Sequence, residues 1–173
     1  SFITVQTAPA ATEDLQQNFS ERVQAALSHE RRSADEKSRD GNRKPEQTIE
    51  FFGIKPGMSV LELMPGSGWY TKILGPVLEP EGKLHLSIGA ERIAEKLADQ
   101  AGFSSIELIP FDRSNFVRQS GSRQYELPEF SFGVKKIDLV LTFRNQHNFT
   151  EQGRQNINQA VYEALKNGGH YGI

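Results

Sequence analysis

The residues best placed to do chemistry surround a glycine turn that ends an apolar run. Residues 60–71 read Val-Leu-Glu-Leu-Met-Pro-Gly-Ser-Gly-Trp-Tyr-Thr, so an acid, Glu62, lies inside the run and two glycines follow it. Gly66 and Gly68 permit positive φ and let a ligand approach the backbone closely. A helical pattern starts directly after the turn, and its free N–H groups would point at that ligand. The stretch therefore predicts a nucleotide-like ligand beyond the carboxyl end of a buried strand.

A second polar group follows another apolar strand pattern, at residues 136–143. Arg144, Asn145 and His147 come directly after it, and the carboxyl ends of parallel strands meet at one edge of a sheet. His147 could orient or deprotonate an oxygen or nitrogen nucleophile, and Asn145 is the second catalytic candidate. A lone histidine is more often structural, but its place after a buried strand favours a role in a site.

A charged segment at residues 29–45 precedes the glycine turn. One interpretation is a solvated helix face with charge pairs of mixed sign. The other is an anion clamp, because Arg39 and Arg43 lie one helical turn apart and would share a face. The sequence leaves both interpretations open.

The position of the acid distinguishes between cofactors. A dinucleotide fingerprint would place its acid at the end of the next strand and a third glycine at the position of Thr71. Here Glu62 comes first, which argues against a nicotinamide-dependent oxidoreductase. The order resembles motif I of the class I S-adenosylmethionine (SAM) dependent methyltransferases. The longer string resembles the bacterial "predicted methyltransferase" branch with Pro-Gly-x-Gly-Tyr/Trp-Tyr, although Met64 stands where most class I enzymes have a first glycine.

The resemblance implies an α/β fold, a Rossmann-like methyltransferase sheet with helices on both faces and strand order 3-2-1-4-5-7-6. It covers residues 31–173, which we expect to be the SAM-binding domain, while residues 1–30 form an N-terminal extension and helix. The pattern stops after the start of the fifth strand, so we expect a C-terminally incomplete fold without strands 6 and 7. Such a sheet would have an exposed apolar edge, so we expect either that the sequence is a trimmed or proteolysed fragment, the interpretation we favour, or that a partner chain or a second copy in a homo-oligomer covers the edge.

The resemblance also implies a set of site residues. The expected cofactor-binding residues are Glu62, Pro65, Gly66, Ser67, Gly68, Trp69, Tyr70, Asp112, Arg113 and Arg144. Asp112 would bond the adenine amino group or else cap a loop. Trp69 and Tyr70 would face the sulfonium or else only pack. The usual ribose acid is absent after the second strand, where Glu91 comes late and is expected to cap a helix, so Ser87 or backbone groups would bind the ribose.

Composition limits the remaining possibilities. The 173 residues suit one domain, and a formal net charge of −2 supports no basic face for nucleic acid. There is no cysteine, the four histidines show no metal-ligand spacing, and no apolar run is long enough to span a bilayer. The start at Ser1 fits a processed, exported or periplasmic protein as well as a shortened cytoplasmic one.

The sequence therefore predicts a methyltransferase that uses SAM to methylate a small-molecule acceptor. The alternative is a non-catalytic SAM-fold module used for binding or interaction. Smaller predictions concern local structure: Thr12 caps the first helix, Thr150 caps the last, residues 91–101 are helical, and residues 165–169 form a turn. Residues 114–132 lack periodicity and are expected to be a lid, a substrate wall or an irregular excursion.

Overall fold

A computed structural model describes residues 10–79 and 81–173, with side chains from residue 18 onward. The strands are β1 (Ser59–Leu63), β2 (Lys83–Ser87), β3 (Ile106–Ile109), β4 (Val117–Arg118), β5 (Tyr125–Glu126), β6 (Ile137–Thr142) and β7 (Leu165–Gly172). Five of them form one parallel sheet in the order β3-β2-β1-β6-β7. Counted within that sheet, the order is 3-2-1-4-5, which confirms the predicted fold class. The order reverses between β1 and β6, the place where open α/β sheets bind ligands.

Helices cover both faces of this sheet. They are α1 (Ala10–Ser28), α2 (Ala34–Ser38), α3 (Asp40–Arg43), α4 (Pro45–Phe51), α5 (Thr71–Leu78), α6 (Glu91–Leu97) and α7 (Glu151–Ala164), with 3₁₀ turns at Arg113–Asn115 and Gln146–Asn148. None of the helices in the described ranges is long and apolar enough to cross a membrane. Thr150 caps α7 as predicted, since its hydroxyl accepts a hydrogen bond from the amide of Gly153 at 3.1 Å.

Alternate side chains of each strand enter two different core layers, as the period of two in a strand requires. Val60 belongs to the layer beneath α1, α4, α5 and α6, whereas Leu61 belongs to the layer beneath α7. In β6, Leu139 and Val140 divide in the same way. Because both faces are buried, the central strands are nearly continuous apolar runs, and this made them recognisable in the sequence.

Two local predictions about helices are wrong. Helix α1 begins at Ala10, so Thr12 lies inside it and is not its cap, while residues 1–9 fall outside the described part of the chain. The helix predicted at residues 91–101 ends at Leu97, whose side chain is buried. The following residues turn toward β3, and the amide of Gln100 bonds the carbonyl of Leu97 at 2.9 Å.

The turn predicted at residues 165–169 is part of strand β7 instead. Leu165 pairs with Ile137 and His170 pairs with Leu139, so β7 carries extra residues that bulge out of the register. Gly168 takes a φ of 75° within this bulge. The residues that were predicted to form a turn therefore form a β-bulge, because strand pairing resumes on both sides of them.

The aperiodic segment at residues 114–132 folds over the carboxyl side of the sheet. It contains the antiparallel pair β4–β5, and Tyr125 forms a bridge with Phe149. Aromatic contacts hold it there: the rings of Phe116 and Phe149 stack with centroids 5.8 Å apart, and those of Phe111 and Phe130 meet edge-on at 5.1 Å. Aromatic packing over long sequence separations explains why no local period was visible.

Candidate functional site

The glycine turn after β1 has three residues in the left-handed region at alternate positions. Their φ angles are 53° for Met64, 59° for Gly66 and 78° for Gly68. Met64, which occupies the place of the first family glycine, thus keeps a backbone conformation typical of glycine, at a cost of roughly 1 kcal/mol. The departure from the sequence pattern therefore does not change the course of the chain.

The two glycines have different roles. A Cβ on Gly68 would lie 2.5 Å from the Cγ1 atom of Ile93, so this glycine allows helix α6 to pack closely on the turn. A Cβ on Gly66 would have nothing within 4 Å. Gly66 therefore exposes its backbone to open space, where a ligand could approach it.

Glu62 is buried beside this turn, with 2% of its surface exposed. The hydroxyl of Thr71 donates a hydrogen bond to its Oε2 atom at 2.7 Å, and no described donor bonds Oε1. Burial raises the pKa of Glu62 to about 7, although the Thr71 bond favours the ionised form. A cation placed next to Oε1 would compensate the lost hydration and drive ionisation.

A cleft runs across the carboxyl ends of β1 and β6 in two connected sectors that share Met64, Gly66 and Asn145. We call the first the arginine sector, of about 350 Å³; its other lining residues are Arg39, Arg43, Glu62, Leu63, Pro65, Ser67, Trp69, Tyr70, Phe143, Arg144 and His147. We call the second the aromatic sector, of about 610 Å³; its other lining residues are Ile88, Gly89, Arg113, Phe116, Tyr125, Asn148 and Phe149. Nearly all the site residues predicted from the sequence line this cleft.

Buried ion pairs fix the charged segment against the glycine turn. Arg32 is buried and bonds Asp40, with one of its contacts, Nη1 to Oδ2, at 2.9 Å. Lys72 of helix α5 is also buried and pairs with Glu36 at 2.6 Å. The indole N–H of Trp69 donates to the Glu36 carbonyl at 3.0 Å. The interpretation as a solvated helix face is therefore wrong for part of this segment, which packs on the site.

Arg39 and Arg43 both line the arginine sector. The amide of Arg43 donates to the carbonyl of Arg39 at 2.9 Å, so the two are one helical turn apart as predicted. The guanidinium carbon of Arg43 lies 4.6 Å from the centroid of the Trp69 ring, a cation–π contact that holds it in place. Both arginines therefore line one cavity, and their role as an anion clamp stays a prediction.

The two aromatic residues of the turn are already engaged in packing. The ring of Tyr70 stacks on Phe143 with centroids 3.7 Å apart and an interplanar angle of 16°. The ring of Trp69 forms cation–π contacts with two arginines: the guanidinium carbon of Arg32 lies 4.9 Å from the ring centroid, and that of Arg43 also lies over the ring. Both residues line the arginine sector, so the structure shows the packing role, and contact with a ligand stays a prediction.

The polar cluster after β6 lies where it was expected. The side-chain amide of Asn145 donates to Thr142 Oγ1 at 3.1 Å and to the Met64 carbonyl at 3.4 Å, which joins the ends of β6 and β1. Exposed His147 follows in the 3₁₀ turn, and Arg144 precedes it with a φ of 62°. Both line the arginine sector.

At the nucleoside end, Asp112 takes the capping role that was one of its two predicted roles, whereas Ser87 and Glu91 differ from what the sequence predicted. Asp112 is exposed and caps a 3₁₀ turn by accepting from the Ser114 amide at 2.9 Å; these hydrogen bonds lower its pKa, and it lines neither sector. Ser87 is fully buried and donates to the Ile109 carbonyl at 3.0 Å, so its hydroxyl is not available for a ribose. Glu91 is an exposed residue of the first turn of α6, whose N-cap is Ala90.

Phe116 and Tyr125 of the segment expected as a lid or substrate wall line the aromatic sector, but sequence reasoning missed Ile88 and Gly89 as lining residues. Ile88 has a φ of 58° and Gly89 one of 72°, an unusual pair that turns the chain beneath the sector. A β-branched residue in the left-handed region is strained, and such strain concentrates at ligand sites. The signal in the sequence was Gly89 directly after β2. No group of three metal-ligating side chains occurs among residues 18–79 and 81–173, whose side chains the structure describes.

No protein-family model and no curated protein matches the sequence. Solved structures do match the fold. A SAM-dependent methyltransferase from Aquifex aeolicus has a TM-score of 0.56 and 16% identity over 93% of this chain and 69% of its own. A putative S-adenosyl-L-methionine-dependent methyltransferase from Methanococcus maripaludis has a TM-score of 0.52 and 12% identity over 99% and 68%. The complex of DhpI with SAM and HEP has a TM-score of 0.50 and 19% identity over 96% and 66%.

The chain thus spans about two thirds of the length of these structures. The likeness establishes the fold, a Rossmann-like sheet of the kind found in SAM-dependent methyltransferases. Fold and activity are separate matters, because one architecture carries many functions. The residues of the cleft must therefore carry the functional argument.

Proposed function

We propose that this protein binds S-adenosylmethionine in the cleft and transfers its methyl group to a small-molecule acceptor. One observation carries the proposal: the open backbone of Gly66 and the buried carboxyl of Glu62 both line the arginine sector at the carboxyl end of β1. A zwitterionic amino-acid group needs both an acceptor for its ammonium and donors for its carboxylate. The choice of cofactor is supported by the structures of similar fold, two of which are described as SAM-dependent methyltransferases and one of which contains SAM.

The residues present fit this cofactor. Glu62 Oε1 has no described donor and would accept from the ammonium group, directly or through water. Arg43, which rests on the Trp69 ring, would bind the carboxylate. The aromatic sector, lined by Phe116 and Phe149, would take the planar adenine, and Arg113 lies at this end. Backbone groups at Ile88 and Gly89 would bind the ribose in place of an acid.

The protein's contribution to catalysis is alignment and the exclusion of water. The bound cofactor supplies an electrophilic methyl group on a sulfonium. Asn145, anchored at the junction of the two sectors, would fix the position of the acceptor. His147, exposed at the arginine sector, would accept a proton from an oxygen or nitrogen nucleophile.

A non-catalytic SAM-binding module is the second candidate. The specific observation in its favour is the end of β2, where Ser87 bonds the Ile109 carbonyl and no carboxylate of the described residues lines the aromatic sector. Such a module would bind SAM without consuming it. A nicotinamide-dependent oxidoreductase would instead bind NADH.

Calorimetric titration with SAM and with NADH separates these candidates. We expect SAM to bind and NADH not to bind. The variant Gly66→Ala would put a Cβ into the cleft and weaken SAM binding. Gly53→Ala is a matched control, because Gly53 also has open space and a φ of 62° but lies outside the cleft. Both variants lose similar stability, so equal SAM affinities in the two would contradict the proposed site.

Turnover is tested by incubating the protein with radiolabelled SAM and a mixture of small metabolites. Label that appears in an acceptor, and is lost in His147→Ala while SAM binding persists, would support methyl transfer. Binding of SAM without any transfer of label would favour the non-catalytic module. Binding of NADH in preference to SAM would overturn both.

A further inference from the structure

The arginine sector carries more positive charge than the cofactor needs. Arg39, Arg43 and Arg144 all line it. Glu62 is the one carboxyl group that lines it among the described residues, and its Oε2 atom is already bonded to Thr71. The sector therefore combines three guanidinium groups with one acid whose pKa is raised by burial.

These guanidinium groups are not neutralised by the protein. The neighbouring buried cations are paired, Arg32 with Asp40 and Lys72 with Glu36. In contrast, Arg39 and Arg144 are exposed, and neither forms an ion pair with any carboxylate in the described ranges. Arg43 rests on the Trp69 ring, whose quadrupole does not cancel a full charge.

The cofactor would add to this excess. SAM carries one carboxylate against an ammonium and a sulfonium, so it brings a net positive charge. One guanidinium can bind its carboxylate and Glu62 its ammonium, which leaves two guanidinium groups and the sulfonium without a counter-charge. Like charges that line one cavity repel each other, and an anion bound between them offsets this repulsion.

We propose that the methyl acceptor is a small anion, either a carboxylate or a phosphorus oxyanion, and that Arg39 and Arg144 bind it beside His147. This inference rests on the proposed function. Arginine binds both groups through paired N–H donors, and these charge-assisted bonds are among the strongest in proteins. In the transfer, a lone pair of the acceptor forms the bond to the methyl carbon while the sulfur–carbon bond breaks. The electron pair of that bond stays on sulfur, and any proton on the acceptor atom passes to His147.

A negative charge on the acceptor would also make its affinity change during the reaction. Before transfer, the negative acceptor lies opposite the sulfonium, and this attraction brings nucleophile and methyl group together. After transfer, the sulfur is neutral, so one attraction that held the acceptor is gone. An anionic acceptor would therefore bind tightly before the reaction and less tightly after it.

A matched pair of probes tests the inference. Benzoate and benzamide have the same shape and differ in charge, and phenylphosphonate carries the other anionic group. Each is titrated by calorimetry into the SAM-saturated chain. We expect benzoate or phenylphosphonate to bind at least about tenfold more tightly than benzamide, since one charge-assisted bond is worth that much. Which of the two anions binds better distinguishes a carboxylate from a phosphorus oxyanion.

Variants assign the preference to the arginines. In the double variant Arg39→Gln with Arg144→Gln, the preference for the anion should fall to about twofold or less, because the charge-assisted bonds are gone. Lys96→Gln, which removes one exposed cation of α6 outside both sectors, should keep the preference. The SAM affinity of each variant is measured in parallel, which shows whether the cofactor site is intact.

The outcomes are distinguishable. If SAM does not bind to the unaltered chain, the proposed function fails and the acceptor inference fails with it. If SAM binds but benzoate, phenylphosphonate and benzamide bind equally well, the inference alone is overturned. A preference for anions that survives in the double variant would overturn the assignment to Arg39 and Arg144.

Discussion

The buried carboxyl of Glu62 should make the stability of the free protein depend on pH. Burial raises its folded-state pKa to about 7, from an ordinary value of 4.5. A raised folded-state pKa gives stability that is complete below 4.5 and is lost as the pH rises through 7. The difference of 2.5 pKa units, at 1.36 kcal/mol for each unit, corresponds to a loss of about 3 kcal/mol at pH 8.

The variant Glu62→Gln removes this ionisation and keeps an acceptor for the Thr71 hydroxyl. We expect the variant and the unaltered chain to have similar free energies of unfolding near pH 5. Near pH 8 the variant should be more stable by about 2–3 kcal/mol, because glutamine has no charge to desolvate. Urea unfolding followed by the fluorescence of Trp69, the one tryptophan of the chain, measures both values.

Glu95→Gln is the control for this comparison, since Glu95 is an exposed residue of helix α6 and its substitution should change neither value by much. The same Glu62→Gln variant should bind SAM less tightly than the unaltered chain at pH 8, because it cannot pair with the ammonium group. A stability difference between variant and unaltered chain that is the same at both pH values would refute the reasoning about burial.

Three further predictions concern the parts around the cleft. Gly68→Ala should lower the free energy of unfolding by about 2 kcal/mol in chemical denaturation, because its Cβ would clash with helix α6; no loss would contradict the close packing. Asp40→Ala should cost about 2 kcal/mol and lower the melting temperature, since it leaves the buried charge of Arg32 unpaired; an unchanged melting temperature would argue against that pair. Thr71→Val removes the donor that favours the ionised form of Glu62, so the pH at which SAM binding becomes tight should move upward; calorimetry at several pH values measures it, and no shift would contradict the role of this bond.

The sequence revealed the centre of the fold because local rules and tertiary packing agree there. Strands β1 and β6 are buried on both faces, so they are continuous apolar runs that end in polar or glycine-rich turns. The carboxyl ends of adjacent parallel strands meet, which brings Gly66 and Asn145 together although 79 positions separate them. Residue type and strand order, together with the resemblance to motif I, predicted most of the residues that line the arginine sector.

The aromatic sector could not be predicted in the same way. Its wall depends on contacts such as Phe116 with Phe149, between residues that no helical or strand period connects. It depends also on the left-handed backbone of Ile88, a conformation that sequence rules assign to glycine. The position of Asp112 after β3 suggested that it binds the adenine or caps a loop, and in the structure its carboxylate accepts a hydrogen bond from the amide of Ser114.

The charged segment before β1 shows a third limit. A run of mixed charges usually indicates a solvated face. Arg32 of this segment is nevertheless buried and pairs with Asp40 of α3. Glu36 of α2 pairs with Lys72, a buried residue of helix α5. Only the three-dimensional arrangement separates these paired structural cations from the unpaired Arg39 and Arg144 that line the cleft.

The central claim is that the cofactor lies across Gly66 and Glu62, and a crystal structure of the protein with S-adenosylhomocysteine tests it most directly. We expect electron density for the amino-acid group beside Glu62 and for the adenine in the aromatic sector, against Phe116 and Phe149. Density for the ligand at any other place on the molecule, or a cleft that stays free of ligand at saturating concentration, would contradict it.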